Sequence, residues 1–240
     1  MKKCIINFAN GNGHPGYIKG QRRLVESLKT VNFDGDQLIF TNENQIGAQP
    51  HSQVPYGFKA HALKYAIDKG YESILWCDSS IWAIKPLDPI FNEIETNGYC
   101  FFHNCDTGPF ASDASLVSFG ITREEAFQIP MLVGGCFGLN MKTDICKEYF
   151  KRFYEKAVDG VTFQGSWTNH NNEVSLDPRV KGHRHDQTAA SIITYQLGMK
   201  LIIPHLTYFQ YYQNPTNTTY EANPDMSMIN PTVLLVAQGM

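Results

Sequence analysis

Asp78 closes a hydrophobic run, Ile74-Leu75-Trp76-Cys77, and is followed by two small hydroxyl residues, Ser79 and Ser80. A carboxylate placed there can accept hydrogen bonds from hydroxyl groups, help hold a divalent cation, or simply bend the chain through its own side-chain oxygen. A second concentration of reactive side chains spans residues 182–187, where Gly182 leads into His183, Arg184, His185, Asp186 and Gln187. Asp186 at a helix start is stabilised by exposed amides and by the helix dipole, so capping alone would account for it. Five polar side chains in a row are harder to treat as a cap. Gly134 and Gly135, inside an apolar stretch, permit close approach to the backbone, although glycines in a strand also mark bulges. Trp167 offers an aromatic face for a sugar ring, with Asn169 and His170 as hydrogen-bonding neighbours, against the plainer reading of a packed aromatic.

Positioning these groups requires a framework, and the first third of the chain supplies its pattern. Cys4 to Phe8 reads as a short buried strand, Leu24, Val25 and Leu28 recur at helical spacing, and Gln37 to Phe40 returns to an extended apolar run. Ala60, Leu63 and Ile67 mark one face of a helix that Gly70 can end, and Ser73 to Cys77 is a strand of bulky residues. This alternation predicts an α/β fold with a mainly parallel central sheet flanked by helices. Strands are also expected at Tyr99 to Phe102, at Met131 to Leu139 and near Leu201 to Pro204, with helices at Thr143 to Ala157 and Gln187 to Leu197. Residues 104–128 read as a long polar connection, of a length that is unusual unless it helps form a site. The chain is expected to be a single domain over residues 1–212, with 213–240 as a surface segment of that domain that wraps it or closes over a ligand.

A chain of 240 residues is long enough to bury roughly 70% of the surface it exposes when unfolded. Its 42% hydrophobic and 18% charged residues are those of a globular protein, not of a disordered or fibrous one. A formal charge of −3 gives no strong nucleic-acid signal. The apolar segment after Lys2 and Lys3 is shorter than a signal-peptide core, and no window approaches the ~20 apolar residues of a membrane span. The expected location is the cytoplasm, or a host's cytoplasm if the source is viral. Six cysteines without a close pair of the C-x-x-C kind read as buried thiols.

The segment ILWCDSSIWAIKPLDPIF, residues 74–91, resembles the part of GT-A glycosyltransferases, family 8-like in particular, where a buried strand ends in Asp-x-Asp and is followed by Lys-Pro-Leu and a short apolar helix. The helix FKAHALKYAI, the glycine-rich LVGGCFGLN and the helix start in GHRHDQTAASIITYQLG resemble further parts of that family in the same order, covering about residues 55 to 205. An opening like NFANG followed by KGQRRL is also similar to glycosyltransferase-like proteins of bacteria and of large viruses or phages.

The resemblance implies a GT-A, Rossmann-like fold that moves a sugar from a nucleotide diphosphate sugar to a hydroxyl acceptor, a glycan foremost. It places the nucleotide base at Phe8, Ala9 and Asn10, and the donor at Asp78, Ser79 and Ser80. Lys59 is the candidate cation at the rim of the donor site, although a lysine at a helix start is ordinarily solvated. Asp186 and Gln187 would face sugar and acceptor, Asp186 as ligand or base, with Gly134, Gly135, Trp167 and His185 lining the substrate. Manganese or magnesium would be held by Asp78, Ser80 and His205, with His185 a further candidate ligand. The DXD-like motif departs from the family at Ser80, which supplies a hydroxyl where the family has a carboxylate. That departure supports the alternative of a nucleotide-sugar or carbohydrate-binding protein without catalysis. A dehydrogenase or methyltransferase is disfavoured because GNGHPG lacks the G-x-G-x-x-G spacing.

Overall fold

The computed structural model describes residues 1–11, 15–203, 207–212 and 225–238. The elements in order are β1 (Lys3–Phe8), α1 (Pro15–Thr30), β2 (Asp36–Phe40), α2 (Phe58–Asp68), β3 (Ser73–Cys77), β4 (Ile81–Ala83), α3 (Asp88–Asn97), β5 (Tyr99–Asp106), α4 (Asp113–Phe119), α5 (Arg123–Ala126), β6 (Pro130–Asn140), α6 (Asp144–Val158), α7 (His185–Gln196), β7 (Phe209–Tyr212) and β8 (Leu235–Gln238). Five strands form the central sheet in the order β2-β1-β3-β6-β5. β1 pairs in parallel with β2 and β3, whereas β6 runs antiparallel to both β3 and β5. Four strands therefore point one way, and the glycine-rich strand runs against them. That reversal brings the middle of β6 alongside the end of β3, with Cys77 opposite Cys136.

Helices cover both faces, as the alternating periods predict. One face buries Ala60, Ala62 and Leu63 of α2, Tyr149 and Phe153 of α6, and Ala189 and Ile193 of α7 against Trp76, Phe101 and Phe137. The other buries Leu24 and Leu28 of α1 and Ile90, Phe91 and Ile94 of α3 against Leu75, Cys77 and Cys100. Gly70 adopts φ +76 where α2 ends, a conformation that residues with a Cβ resist. Thr143 accepts from the Cys146 amide and starts α6. Five of the six cysteines are buried.

Three expectations differ from the observed elements. Residues 104–128 are not a structureless connection: β5 continues to Asp106, and α4 and α5 follow a short turn at Gly108–Phe110. Ser112 caps α4, Thr122 and Glu125 form a capping box on α5, and Ala111, Leu116, Ala126 and Ile129 pack on Ile192. The density of Gly, Pro and Asp hides these short helices from a periodicity reading. Within the segment read as surface, Leu235–Gln238 is a fully buried strand, β8. It pairs antiparallel with β4 and parallel with β7, forming a second, three-stranded sheet. Residues 213–224 lie outside the described residues. Of the strand expected near Leu201 to Pro204, the described residues 201–203 show a single bridge between Ile202 and Phe102, and Pro204 lies outside the described residues. No helix among the described residues is long and apolar enough to cross a membrane.

Candidate functional site

The site lies beyond the carboxyl end of β3, where open α/β sheets present ligands. A buried polar network holds that end together. Asn7 Nδ2 donates to the Cys77 carbonyl at 2.7 Å, and Gln21 Nε2 donates to Asn7 Oδ1 at 2.8 Å and to the Phe40 carbonyl at 2.9 Å. Ser79 Oγ joins the network within 3.4 Å of Asn7 and donates to the Phe8 carbonyl at 3.3 Å. Ser79 thus fastens β1 to β3. Neither Asn7 nor Gln21 carries a sequence signal of this role, since each is one polar residue inside an apolar pattern.

Lys59 is the centre of the site, and its placement corrects the rim expectation. Its ammonium is buried, with Nζ over the rings of Tyr56 and Trp76 at 5.4 and 5.5 Å from their centroids. Nζ reaches Asp186 Oδ2 at 2.9 Å, Asp78 Oδ1 at 3.2 Å and the Gly134 carbonyl at 2.8 Å. Burial alone would lower the ammonium pKa. The charges of Asp186 and Asp78 outweigh it and raise the pKa, so Lys59 stays charged. Burial pushes the Asp186 carboxyl up to about 6, against the opposing pull of Lys59 and with a further push from Asp78. An acid in this range can exchange a proton near neutral pH.

Asp78 is also held from below. The buried Trp76 donates from Nε1 to Asp78 Oδ1 at 2.7 Å, and the Asp78 amide donates to the Gly135 carbonyl at 2.8 Å. Trp76 was absent from the sequence candidates, yet residues two apart on an extended chain share a face, which is the signal that could have found it. The glycines of β6 admit the protein's own side chains. A Cβ on Gly134 would stand 2.9 Å from Gln187 Cβ, and one on Gly135 would stand 3.0 Å from Asp78 Oδ2. Gln187 Nε2 donates to the Leu132 carbonyl at 2.7 Å, which seats α7 on β6. Gly134→Ala is expected to cost about 1–3 kcal/mol of stability in urea denaturation, because α7 must be displaced to admit the methyl group.

An aromatic wall lines one side. Tyr56 stacks on His185 at 5.5 Å, and Trp167, about half exposed, lies 6.0 Å from His185. The Arg184 guanidinium packs 3.7 Å from the Trp167 ring centroid, and Nη1 donates to the Trp167 carbonyl at 2.7 Å. Burial, then the Asp186 charge, raises the Tyr56 phenol. His185 starts α7 at φ 39, its Nδ1 bonded to the Phe163 carbonyl at 3.0 Å, and burial pushes its pKa down to about 3, leaving a neutral ring. His183 is buried between the Ser112 amide and the Thr162 carbonyl. Asn169 spends its side chain on Val174, Ser175 and Val180, while His170 is exposed. At the end of β1, Phe8 stacks on Phe58 at 4.4 Å, the Ala9 amide donates to the Phe40 carbonyl, and Asn10 bonds Glu43 at 2.6 Å.

The proposed cation ligands fit poorly. His205 lies outside the described residues. Asp78 Oδ1 accepts from Trp76 and forms an ion pair with Lys59 at 3.2 Å, and Oδ2 accepts from Lys59 at 3.4 Å. Ser80 offers only a neutral hydroxyl, and no group of three or more His, Cys, Asp or Glu among the described residues is arranged to hold an ion.

No protein-family model matches the chain, and no curated protein matches it in sequence. Solved structures do match in fold. The chain is similar to the WbbM bifunctional glycosyltransferase, at 10% identity and TM-score 0.52 over 97% of this chain and 45% of that one. It is similar to mouse xyloside xylosyltransferase 1, at 9% identity and TM-score 0.51 over 99% and 97% of the two chains. A glycosyltransferase involved in the glycosylation of the major capsid of PBCV-1 matches at 14% identity and TM-score 0.52 over 98% and 93%. The chain spans less than half the length of the first of these. Identities this low establish the fold alone: a mixed α/β domain with a central sheet flanked by helices, in agreement with the GT-A expectation.

Proposed function

We propose that the protein is a nucleotide-sugar-dependent glycosyltransferase, transferring a sugar from a nucleoside diphosphate to a hydroxyl acceptor. The observation that carries this reading is the buried Lys59 with Asp78 and Asp186 on it at 3.2 and 2.9 Å, placed beyond the carboxyl end of a central strand. A fixed pair of carboxylates suits a substrate rich in hydroxyl donors, because each oxygen facing the cleft can accept from a sugar hydroxyl.

In this reading the donor lies against Asp78, whose outward oxygen accepts hydroxyl hydrogen bonds, with its diphosphate beside the Asp78–Ser80 turn and its base near Phe8, Ala9 and Asn10. The acceptor oxygen forms a bond to the anomeric carbon. The bond from that carbon to the diphosphate breaks, and its electron pair leaves with the diphosphate. The acceptor's proton passes to the Asp186 carboxylate. Gln187, Gly134, Gly135 and the Tyr56–His185–Trp167 wall bound the space in which sugar and acceptor are oriented. A glycan fits the half-exposed Trp167 as acceptor, since a sugar ring packs its apolar face on an indole.

The test is release of nucleoside diphosphate from a panel of nucleotide sugars, with donor binding followed by calorimetry. Asp78→Ala is expected to abolish donor binding, whereas Asp186→Ala retains binding and loses turnover. Failure of every donor to bind would sink the proposal. Ser80 favours one second reading, a donor-binding protein without catalysis, and binding without diphosphate release would select it.

A further inference from the structure

We propose that the donor site works without a divalent cation, the diphosphate charge being met by two resident cations, Lys59 and Arg23, that flank the Asp78–Ser80 turn. This rests on the donor-binding reading above and goes beyond it. The first ground is the state of Asp78. Oδ1 accepts from Trp76 Nε1 at 2.7 Å and forms an ion pair with Lys59 Nζ at 3.2 Å. Oδ2 accepts from Lys59 at 3.4 Å, so each oxygen of Asp78 already faces a donor. Magnesium and manganese require several oxygen ligands in near-octahedral array at ~2 Å. Here the turn supplies one carboxylate, already paired with Lys59, and the neutral hydroxyl of Ser80. An ion on Oδ2 would also lie within roughly 6 Å of the Lys59 ammonium, whose charge opposes it.

The second ground is Arg23, which reaches the turn from α1. Its guanidinium packs 3.7 Å from the ring centroid of the buried Trp82. Nη2 donates to the Ser80 carbonyl at 2.9 Å, and Nη1 donates to Gln238 Oε1 at 3.1 Å. A fixed positive charge therefore stands against the backbone of residue 80, the position where a metal-binding motif would carry its second carboxylate. Lys59 contributes its charge from the other side. Its ammonium hydrogens are engaged by Gly134, Asp78 and Asp186, so it acts as a field and not as a phosphate ligand. Two cations thus stand on either side of the turn. Positive charge there opposes a divalent ion and favours a diphosphate.

The experiment is calorimetric titration of the full chain with UDP, GDP, ADP and CDP, each in excess EDTA and each in excess manganese. One of these nucleotides is expected to bind in EDTA with a Kd that manganese changes by less than about threefold. Arg23→Gln is expected to weaken that binding about tenfold or more, and Arg23→Lys, which keeps the charge but loses the stacked plane and one of the two hydrogen bonds, to weaken it less. Ser80→Asp adds the missing carboxylate and is expected to make binding manganese-dependent. Melting temperatures of the variants show that each is folded. Wild-type binding that EDTA abolishes and manganese restores overturns this inference and leaves the donor reading standing. No binding by any of the four under either condition overturns both.

Discussion

Lys59→Met is expected to destabilise the protein by about 3–5 kcal/mol and to abolish donor binding, the largest effect of any single substitution in the site. The methionine keeps most of the volume of the lysine stem and removes the charge and its three contacts. Asp186, 7% exposed in its side chain, then lies buried without a counter-ion, and the Gly134 carbonyl loses its donor. Urea denaturation of wild type and variant at pH 7 and pH 5 checks this. The deficit should shrink at pH 5, because Asp186, already raised to about 6 by burial, is then largely protonated and no longer an uncompensated charge. Adding Asp186→Asn to Lys59→Met should recover part of the loss, as in any pair where one partner's removal strands the other. A solvated surface lysine at position 59 would instead give a change within about 0.5 kcal/mol at both pH values.

The second large effect is a pH dependence centred on Asp186. If transfer requires its carboxylate as proton acceptor, the rate at saturating donor falls tenfold per pH unit below about 6 and is level above it. Asp186→Asn is expected to reduce turnover by about 10²–10⁴-fold and to remove that limb. Stability moves in the opposite sense. The folded-state pKa lies above the ordinary carboxylate value of 3.8, so the folded state holds more protons between these limits. The stabilisation from this group is fully present below about pH 4 and lost as pH rises through about 6, a change on the order of 3 kcal/mol. Denaturation of wild type and Asp186→Asn across pH 4 to 7 isolates the term, since the asparagine does not titrate. A wild-type stability that tracks the variant across this range would show that Asp186 is not the buried acid described here.

Much of this arrangement is legible in the sequence, and the illegible part has a common cause. The hydrophobic periods of residues 4–77 are local, so the order of β1, α1, β2, α2 and β3 follows from them, as does the position of Asp78 at a strand end. The direction of β6 is not local, since parallel and antiparallel partners share the same alternation and only the path of the chain separates them. The burial of Lys59 depends on two acids and a carbonyl from three other parts of the chain. Read alone, a lysine at a helix start is solvated, and only the assembled site reverses that reading. Residues 104–128 are a different case. Ser112 and the Thr122–Glu125 pair are cap signals visible in the sequence, obscured by the Gly and Pro around them.

The contact between Arg23 and Gln238 joins positions 215 residues apart, and β8 places Gln238 by pairing with β4 directly after the Asp78–Ser80 turn. Closing a loop of that size carries a large entropy cost before any contact offsets it, and contacts of such separation form slowly. The central sheet needs none of it. A chain emerging from synthesis can therefore assemble β1, β3 and the Lys59 pair while the turn beside them is still unfinished, so that competence for the donor arrives as one of the last events of folding.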